Sequence, residues 1–136
     1  MVVGTDGSPP HRVLVIDDDP RIRSLLEDVL GVLGYDVTVA ASGTEGLALV
    51  EGGGFDLVLT DLRMPGISGW EVVERVRRTD PRARLLVVSG TVADSDVERA
   101  CRERIEILPK PVTVEALRQA VSRMLSGEHA SDGPQA

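Results

Sequence analysis

Val13-Leu14-Val15-Ile16-Asp17-Asp18-Asp19 is an apolar run that stops abruptly on three carboxylates, and the chain repeats the device. Leu57-Val58-Leu59-Thr60-Asp61 ends in one acid, Leu85-Leu86-Val87-Val88-Ser89 in a hydroxyl, and Ile107-Leu108-Pro109-Lys110-Pro111 in an ammonium. Short apolar runs bounded by polar turn residues read as strands of a covered sheet. In one parallel sheet, Asp17, Asp18, Asp61, Ser89 and Lys110 would share the carboxyl edge. That set suits a divalent cation beside a phosphoryl group.

Working outward, each strand is followed by a helical pattern, which makes an α/β chain of five strand–helix units. Asp19 before Pro20 is an N-cap with proline at the first helical position. Ile22, Leu25, Leu26, Val29, Leu30 and Leu33 then keep a 3.6-residue period. Ser42-x-x-Glu45 and Ser68-x-x-Glu71 have capping-box spacing and open the second and third helices. The fourth helix, about Asp94–Arg102, has little apolar support beyond Val97, Ala100 and Cys101. Thr113 caps the fifth, whose apolar face is Val114, Leu117, Val121, Met124 and Leu125.

The strands differ in kind, and the difference orders them. Val13–Ile16, Leu57–Leu59 and Leu85–Val88 are continuous and belong inside. Val37-Thr38-Val39 and Ile105-Glu106-Ile107 alternate, as edge strands do. A doubly wound, flavodoxin-like (βα)5 domain with a parallel sheet ordered 2-1-3-4-5 satisfies both conditions. Its topological switch then falls between strands one and three, where open parallel sheets bind ligands. Asp17, Asp18 and Asp61 sit on those two strand ends.

Bulk properties narrow the function. The 136 residues suit one domain, expected over residues 12–125, between disordered tails at 1–11 and 126–136. Hydrophobic residues make up 42% and aromatics 2%, so the core must be aliphatic. A net charge of −7 argues against nucleic acid as a direct ligand. No apolar run reaches the ~20 residues that span a bilayer, and Met1–Pro10 lacks the order of a signal peptide. The lone Cys101 excludes an internal disulfide, so a cytoplasmic location is expected, with no membrane partner.

Crowded carboxylates repel unless a positive charge intervenes. Mg2+ with oxygen ligands is the natural remedy, and Lys110 adds a second positive group. Three carboxylates, one ammonium and one Mg2+ sum to zero, leaving the site ready for more negative charge. Phosphoryl transfer needs in-line positioning and stabilisation of charge on the equatorial oxygens. Asp61 stands alone at its strand end and is the candidate nucleophile, while Asp17 and Asp18 form a pair suited to the metal. Ser89 and Lys110 face the phosphoryl oxygens.

The Asp17-Asp18 pair, Asp61-Leu62-Arg63-Met64-Pro65-Gly66, Ser89-Gly90 and Lys110-Pro111 resemble, in order and spacing, the receiver domain of two-component response regulators (the CheY-like superfamily). The resemblance covers roughly Arg12–Leu125. It implies a signalling phosphoacceptor that is not an enzyme on outside substrates. Asp61 would take a phosphoryl group from a sensor histidine kinase, and phosphorylation would alter the binding of an unknown downstream protein. It further implies that Asp18, Asp61 and the backbone carbonyl of Arg63 hold Mg2+, with Asp17 helping through a water. Lys110 would pair with the phosphoryl group and Ser89 would move toward it. The Lys110–Pro111 bond is expected to be cis.

Some positions depart from that pattern. Ile107 stands where many receivers carry an aromatic residue, and Val112 where they often carry Phe, so the readout face is expected to differ. Arg63 and Thr91 occupy positions that usually tune the lifetime of the phosphoryl group. A long Arg63 could reach the phosphoryl group or an acidic neighbour, which predicts slower self-hydrolysis than in Arg63→Asn.

Other readings are simpler. Each motif taken alone could be a cap, a turn or a surface residue. Trp70 is expected to be partly buried, Cys101 to be a buried helix residue, and His11 and His129 to have no role. Glu98–Glu106 reads as a solvated charged face. A Mg2+-dependent phosphatase of the haloacid-dehalogenase type would use Asp17-x-Asp19, but Pro20-Arg21 follows where that family expects Gly and Thr or Val. A receiver that has lost phosphorylation is disfavoured because all five site residues are present. The stretch after Leu125 is expected to be too short for an output domain, as in a stand-alone receiver or one cut from a hybrid kinase.

Overall fold

The computed structural model describes residues 9–126. Its elements are β1 (Arg12–Ile16), α1 (Pro20–Val32), β2 (Asp36–Ala40), α2 (Gly43–Glu51) and β3 (Leu57–Thr60), then α3 (Gly69–Thr79), β4 (Arg84–Ser89), α4 (Asp94–Glu103), β5 (Glu106–Pro109) and α5 (Val114–Ser126). The sheet is parallel throughout and ordered β2-β1-β3-β4-β5. Most of the two expected tails, and His129, lie outside the described residues. His11 is already tied to the sheet, its carbonyl accepting from the Asp36 N–H at 2.9 Å.

Two-residue alternation divides the inner strands between two aliphatic cores. Leu14, Ile16, Val58, Leu85 and Val87 face α2, α3 and α4. Val13, Val15, Leu57, Leu59, Leu86 and Val88 face α1 and α5. Residues of β1, β3 and β4 are almost entirely buried, whereas β2 and β5 are half-buried at the edges. Each fully buried Val or Leu contributes about 1.5–3 kcal/mol, so the two cores fix the register that aligns the strand ends.

The caps fall at the expected residues. Asp19 accepts from the Arg21 N–H, Ser42 from Glu45, Ser68 from Glu71 and Thr113 from Ala116, at 2.9–3.3 Å. The Glu45 carboxylate turns back to the Ala41 N–H at 2.8 Å, one residue before the cap.

Several expectations need correction. β5 begins at Glu106 and runs to Pro109, one step later than read from the alternation. Arg104 ends α4 in the left-handed region (φ 58°), and the Ile105 N–H closes that end on the Ala100 carbonyl. Ile105 is therefore a buried anchor before the strand. Trp70 is 6% exposed rather than partly buried. Cys101 is exposed. The stripe that α4 buries is Asp96 and Ala100, one residue from the expected Val97 and Cys101. One residue is 100° of helix rotation, enough to turn Val97 outward at 55% exposure. Leu25 and Val114, read as core, are 49% and 56% exposed. The charged stretch of α4 is partly spent within the molecule: Arg99 pairs with Glu74 and Glu103, and Arg77 with Glu103.

Candidate functional site

The register carries each strand end to the same depth. The Asp17 N–H donates to the Ala40 carbonyl and the Asp61 N–H to the Ile16 carbonyl, both at 3.2 Å. The Lys110 N–H donates to the Ser89 carbonyl at 2.9 Å, extending the β4–β5 pairing past Pro109. The Lys110–Pro111 peptide is cis.

All five sequence-read side chains meet in this crevice. Lys110 Nζ donates to Asp17 Oδ2 at 2.7 Å and to Asp61 Oδ2 at 2.9 Å. Ser89 Oγ donates to Asp61 Oδ1 at 2.8 Å and also lies 3.3 Å from the Thr91 carbonyl. Asp61 Oδ1 accepts in addition from the backbone N–H groups of Leu62 (2.6 Å) and Arg63 (3.3 Å). Asp17 Oδ1 accepts from the Asp19 N–H at 2.9 Å, and the Asp17 carbonyl from Arg23. Asp18 is exposed at the rim. Carboxylate oxygens of Asp17, Asp18 and Asp61 lie within 4.8 Å of one another.

Electrostatically the crevice is underneutralised. Asp17 and Asp61 are 2% and 8% exposed, and buried charge is costly unless it is paired. Burial pushes the Lys110 ammonium down, but hydrogen bonds and attraction from Asp17 and Asp61 outweigh it and hold the group above its ordinary value. One ammonium still leaves three carboxylates with two charges unmatched. Clustered hard oxygen donors with that excess fit a small dication.

The loop after β3 is set by two glycines. Gly66 sits at φ 84°, which favours glycine. Gly69 opens α3 against the end of β3, and a Cβ there would collide with the Asp61 carbonyl oxygen. Sequence reasoning missed Gly69 and also Asp96. Asp96 is 5% exposed, with Oδ1 accepting from the Trp70 indole and Oδ2 from the Ala93 N–H, each at 2.8 Å. Its Oδ2 also pairs with the Arg63 guanidinium. Arg63 therefore reaches an acidic neighbour, one of the two destinations foreseen for it. The spacing of Asp96 three residues after Ala93, at the start of a helix, was the available signal.

On β5, Ile107 packs partly against the core. Beside it lies a groove of about 440 Å³ lined by Val97, Ala100, Cys101, Ile105, Ile107 and Pro109. Val112 packs on the opposite core, with α1 and α5.

A five-stranded sheet in this order, with these acids at its switch point, defines a receiver-type α/β domain. The response regulator receiver domain family matches residues 13–122, and the chain belongs to that family. A response regulator receiver protein of Anaeromyxobacter is 42% identical over 105 residues, covering 76% of this chain and 44% of that protein. The virulence sensor protein BvgS of Bordetella pertussis is 38% identical over 123 residues, covering 85% of this chain and 10% of BvgS. The chain thus spans less than half the length of these relatives. Among solved structures, a CheY-like receiver domain protein of Methanospirillum hungatei superposes with TM-score 0.84 at 28% identity, covering 91% of this chain and 99% of that one. The response regulator TrrA of Thermotoga maritima, solved with Mg2+ and BeF, gives TM-score 0.76 at 32% identity, covering 85% and 99%. The acidic cluster is typical of the receiver-domain Mg2+ site. Among the described residues no helix is long and apolar enough to cross a membrane.

Proposed function

We propose that this receiver domain is a phosphoacceptor in which Asp61 takes a phosphoryl group from the phosphohistidine of a sensor histidine kinase. The observation that carries the reading is the unequal treatment of the two Asp61 oxygens. Oδ1 is held by Leu62, Arg63 and Ser89, while among the described residues Oδ2 accepts only from Lys110. Oδ2 is the oxygen free to attack. Its bond to phosphorus forms as the nitrogen–phosphorus bond breaks, and the imidazole leaves with the electron pair.

The surrounding groups then have distinct tasks. Lys110 offsets charge on the transferred group, at the cost of loosening its hold on Asp17. The Leu62 and Arg63 N–H groups keep the carboxylate plane fixed during attack. Ser89 can exchange its bond to Asp61 for one to a phosphoryl oxygen, which would draw the β4–α4 loop inward. Asp17, Asp18, Asp61 and the Arg63 carbonyl would hold Mg2+, which neutralises charge on the phosphoryl oxygens when bound.

In this reading the domain turns over no outside substrate. Its phosphorylated form binds a downstream protein differently, in the cytoplasm, without direct nucleic-acid or membrane contact. The test is labelling by acetyl phosphate. Label should require Mg2+ and vanish in Asp61→Ala; label that persists in Asp61→Ala refutes the assignment.

A further inference from the structure

Asp96, in the first turn of α4, is a buried carboxylate outside the crevice that accepts from three residues. Its two oxygens join three elements: the amino end of α4 through the Ala93 N–H, α3 through the Trp70 indole, and the acceptor loop through Arg63. The Arg99 guanidinium lies over the Trp70 ring, 4.6 Å from its centroid. Burial pushes the Asp96 carboxyl up, but the Ala93 N–H, the Trp70 indole and Arg63 outweigh it and keep it below the usual carboxylate range. It is therefore a fixed negative charge at neutral pH.

Arg63 connects this anchor to the chemistry. Its backbone N–H donates to Asp61 Oδ1 at 3.3 Å, and its side chain ends on Asp96. Between Asp61 and α3, Leu62 is buried and Met64 and Ile67 pack partly on the core, whereas Arg63, Pro65 and Gly66 are exposed. A guanidinium clamped to a buried carboxylate removes freedom from the residue that must present both its N–H and its carbonyl to the site. We infer that Asp96 is a positioning residue of the acceptor site, acting through Arg63 to hold the acceptor loop in the geometry that binds Mg2+ and receives the phosphoryl group.

The inference rests on the phosphoacceptor reading and adds a residue 35 positions from Asp61 in sequence. It has a structural consequence as well. Because the same carboxylate caps α4, any displacement of Arg63 when Asp61 changes charge is felt at the start of that helix.

The experiment is a double-mutant cycle on the full chain: wild type, Arg63→Ala, Asp96→Asn and the double variant. Mg2+ affinity is read from backbone amide shifts, labelling rate from acetyl phosphate, and folding from urea unfolding. Removing a group that orients a metal ligand costs about tenfold or more in affinity or activity. Each single variant should therefore lose about tenfold in both readouts, and the double should lose no more than the worse single, because both act through one contact. Arg63→Lys, which keeps the cation, should recover part of the loss. Arg63 is half-exposed, so its variants keep the test alive should Asp96→Asn fail to fold. Variants that unfold at lower urea but bind Mg2+ and label like wild type would reduce Asp96 to a structural cap and overturn the inference, as would independent, additive losses. A wild-type chain that neither binds Mg2+ nor labels overturns the phosphoacceptor reading together with this one.

Discussion

The crevice at the carboxyl edge of the sheet and the groove running along β5 beneath α4 are built on opposite principles. In the crevice, Asp17, Asp61, Ser89 and Lys110 are all partnered at 2.7–2.9 Å, and the interactions come from residues fixed by strand register. In the groove, Val97 and Cys101 line open space between α4 and β5. The residues that α4 buries, Asp96 and Ala100, set the difference. By taking Asp96 inward to Trp70 and Arg63, α4 presents its 96/100 stripe to the core and rolls Val97 and Cys101 out toward Ile107. The charged site is tight because its geometry is set by the sheet; the apolar groove is loose because a polar contact elsewhere dictates the helix rotation.

The largest effect should come from breaking the crevice at its cation. Lys110→Ala leaves Asp17 and Asp61 buried without their ammonium, which costs about 3–5 kcal/mol in urea unfolding. Added Mg2+ should restore more stability to this variant than to wild type, since it supplies the missing charge. The wild type carries a pH signature of the same contact. Lys110 has its folded value raised above 10.5, so its contribution is complete below pH 10.5 and is lost as pH rises through the higher folded value. Thermal melts of wild type and Lys110→Ala should converge in that alkaline range.

Next in size is Gly69→Ala. Its methyl meets the backbone of Asp61 and Leu62, neither of which can swing away, and overpacking of this kind costs about 1–3 kcal/mol. If Asp61 receives the phosphoryl group as proposed, labelling should fall more than stability alone explains, because the displaced atoms belong to Asp61 and Leu62.

Asp96 links the two regions and should give a smaller, pH-dependent effect. Its folded carboxyl lies below the ordinary 3.8, so the stability it adds is complete above pH 3.8 and is lost as pH falls through the folded value. The advantage of wild type over Asp96→Asn in urea should be level from about pH 5 to 7 and shrink in stronger acid. The smallest effect belongs to the groove itself. Ile107→Phe adds volume where space already exists, and should change stability by less than about 1.5 kcal/mol without altering acetyl phosphate labelling. A large loss there would mean the groove is as tightly packed as the crevice, and the contrast would fall.

What the sequence revealed follows the same division. The sheet order, the four strand ends and the caps at Asp19, Ser42, Ser68 and Thr113 were legible because each depends on local pattern or on strand alternation. The start of β5 was misplaced because Ile105 belongs to the closure of α4, signalled only by Arg104 adopting a left-handed turn. Cys101 and Val97 were placed inward because their apolar character was the only cue available on a sparsely apolar helix. The contact that turned them outward joins Asp96 to Arg63, 33 residues away, and to Trp70, 26 away. Pairings at that range leave no periodic trace. Gly69 was hidden for another reason: a glycine at a helix start looks ordinary until the neighbouring carbonyl is in view.

Asp61, not Asp17, is the residue proposed to form the covalent bond to phosphorus. Borohydride reduction of the acetyl phosphate-labelled chain converts an aspartyl phosphate to homoserine, which peptide mass spectrometry can locate. Reduction at position 61, dependent on Mg2+, is the expected result. Homoserine at position 17, or none in a chain that carries label, would contradict it.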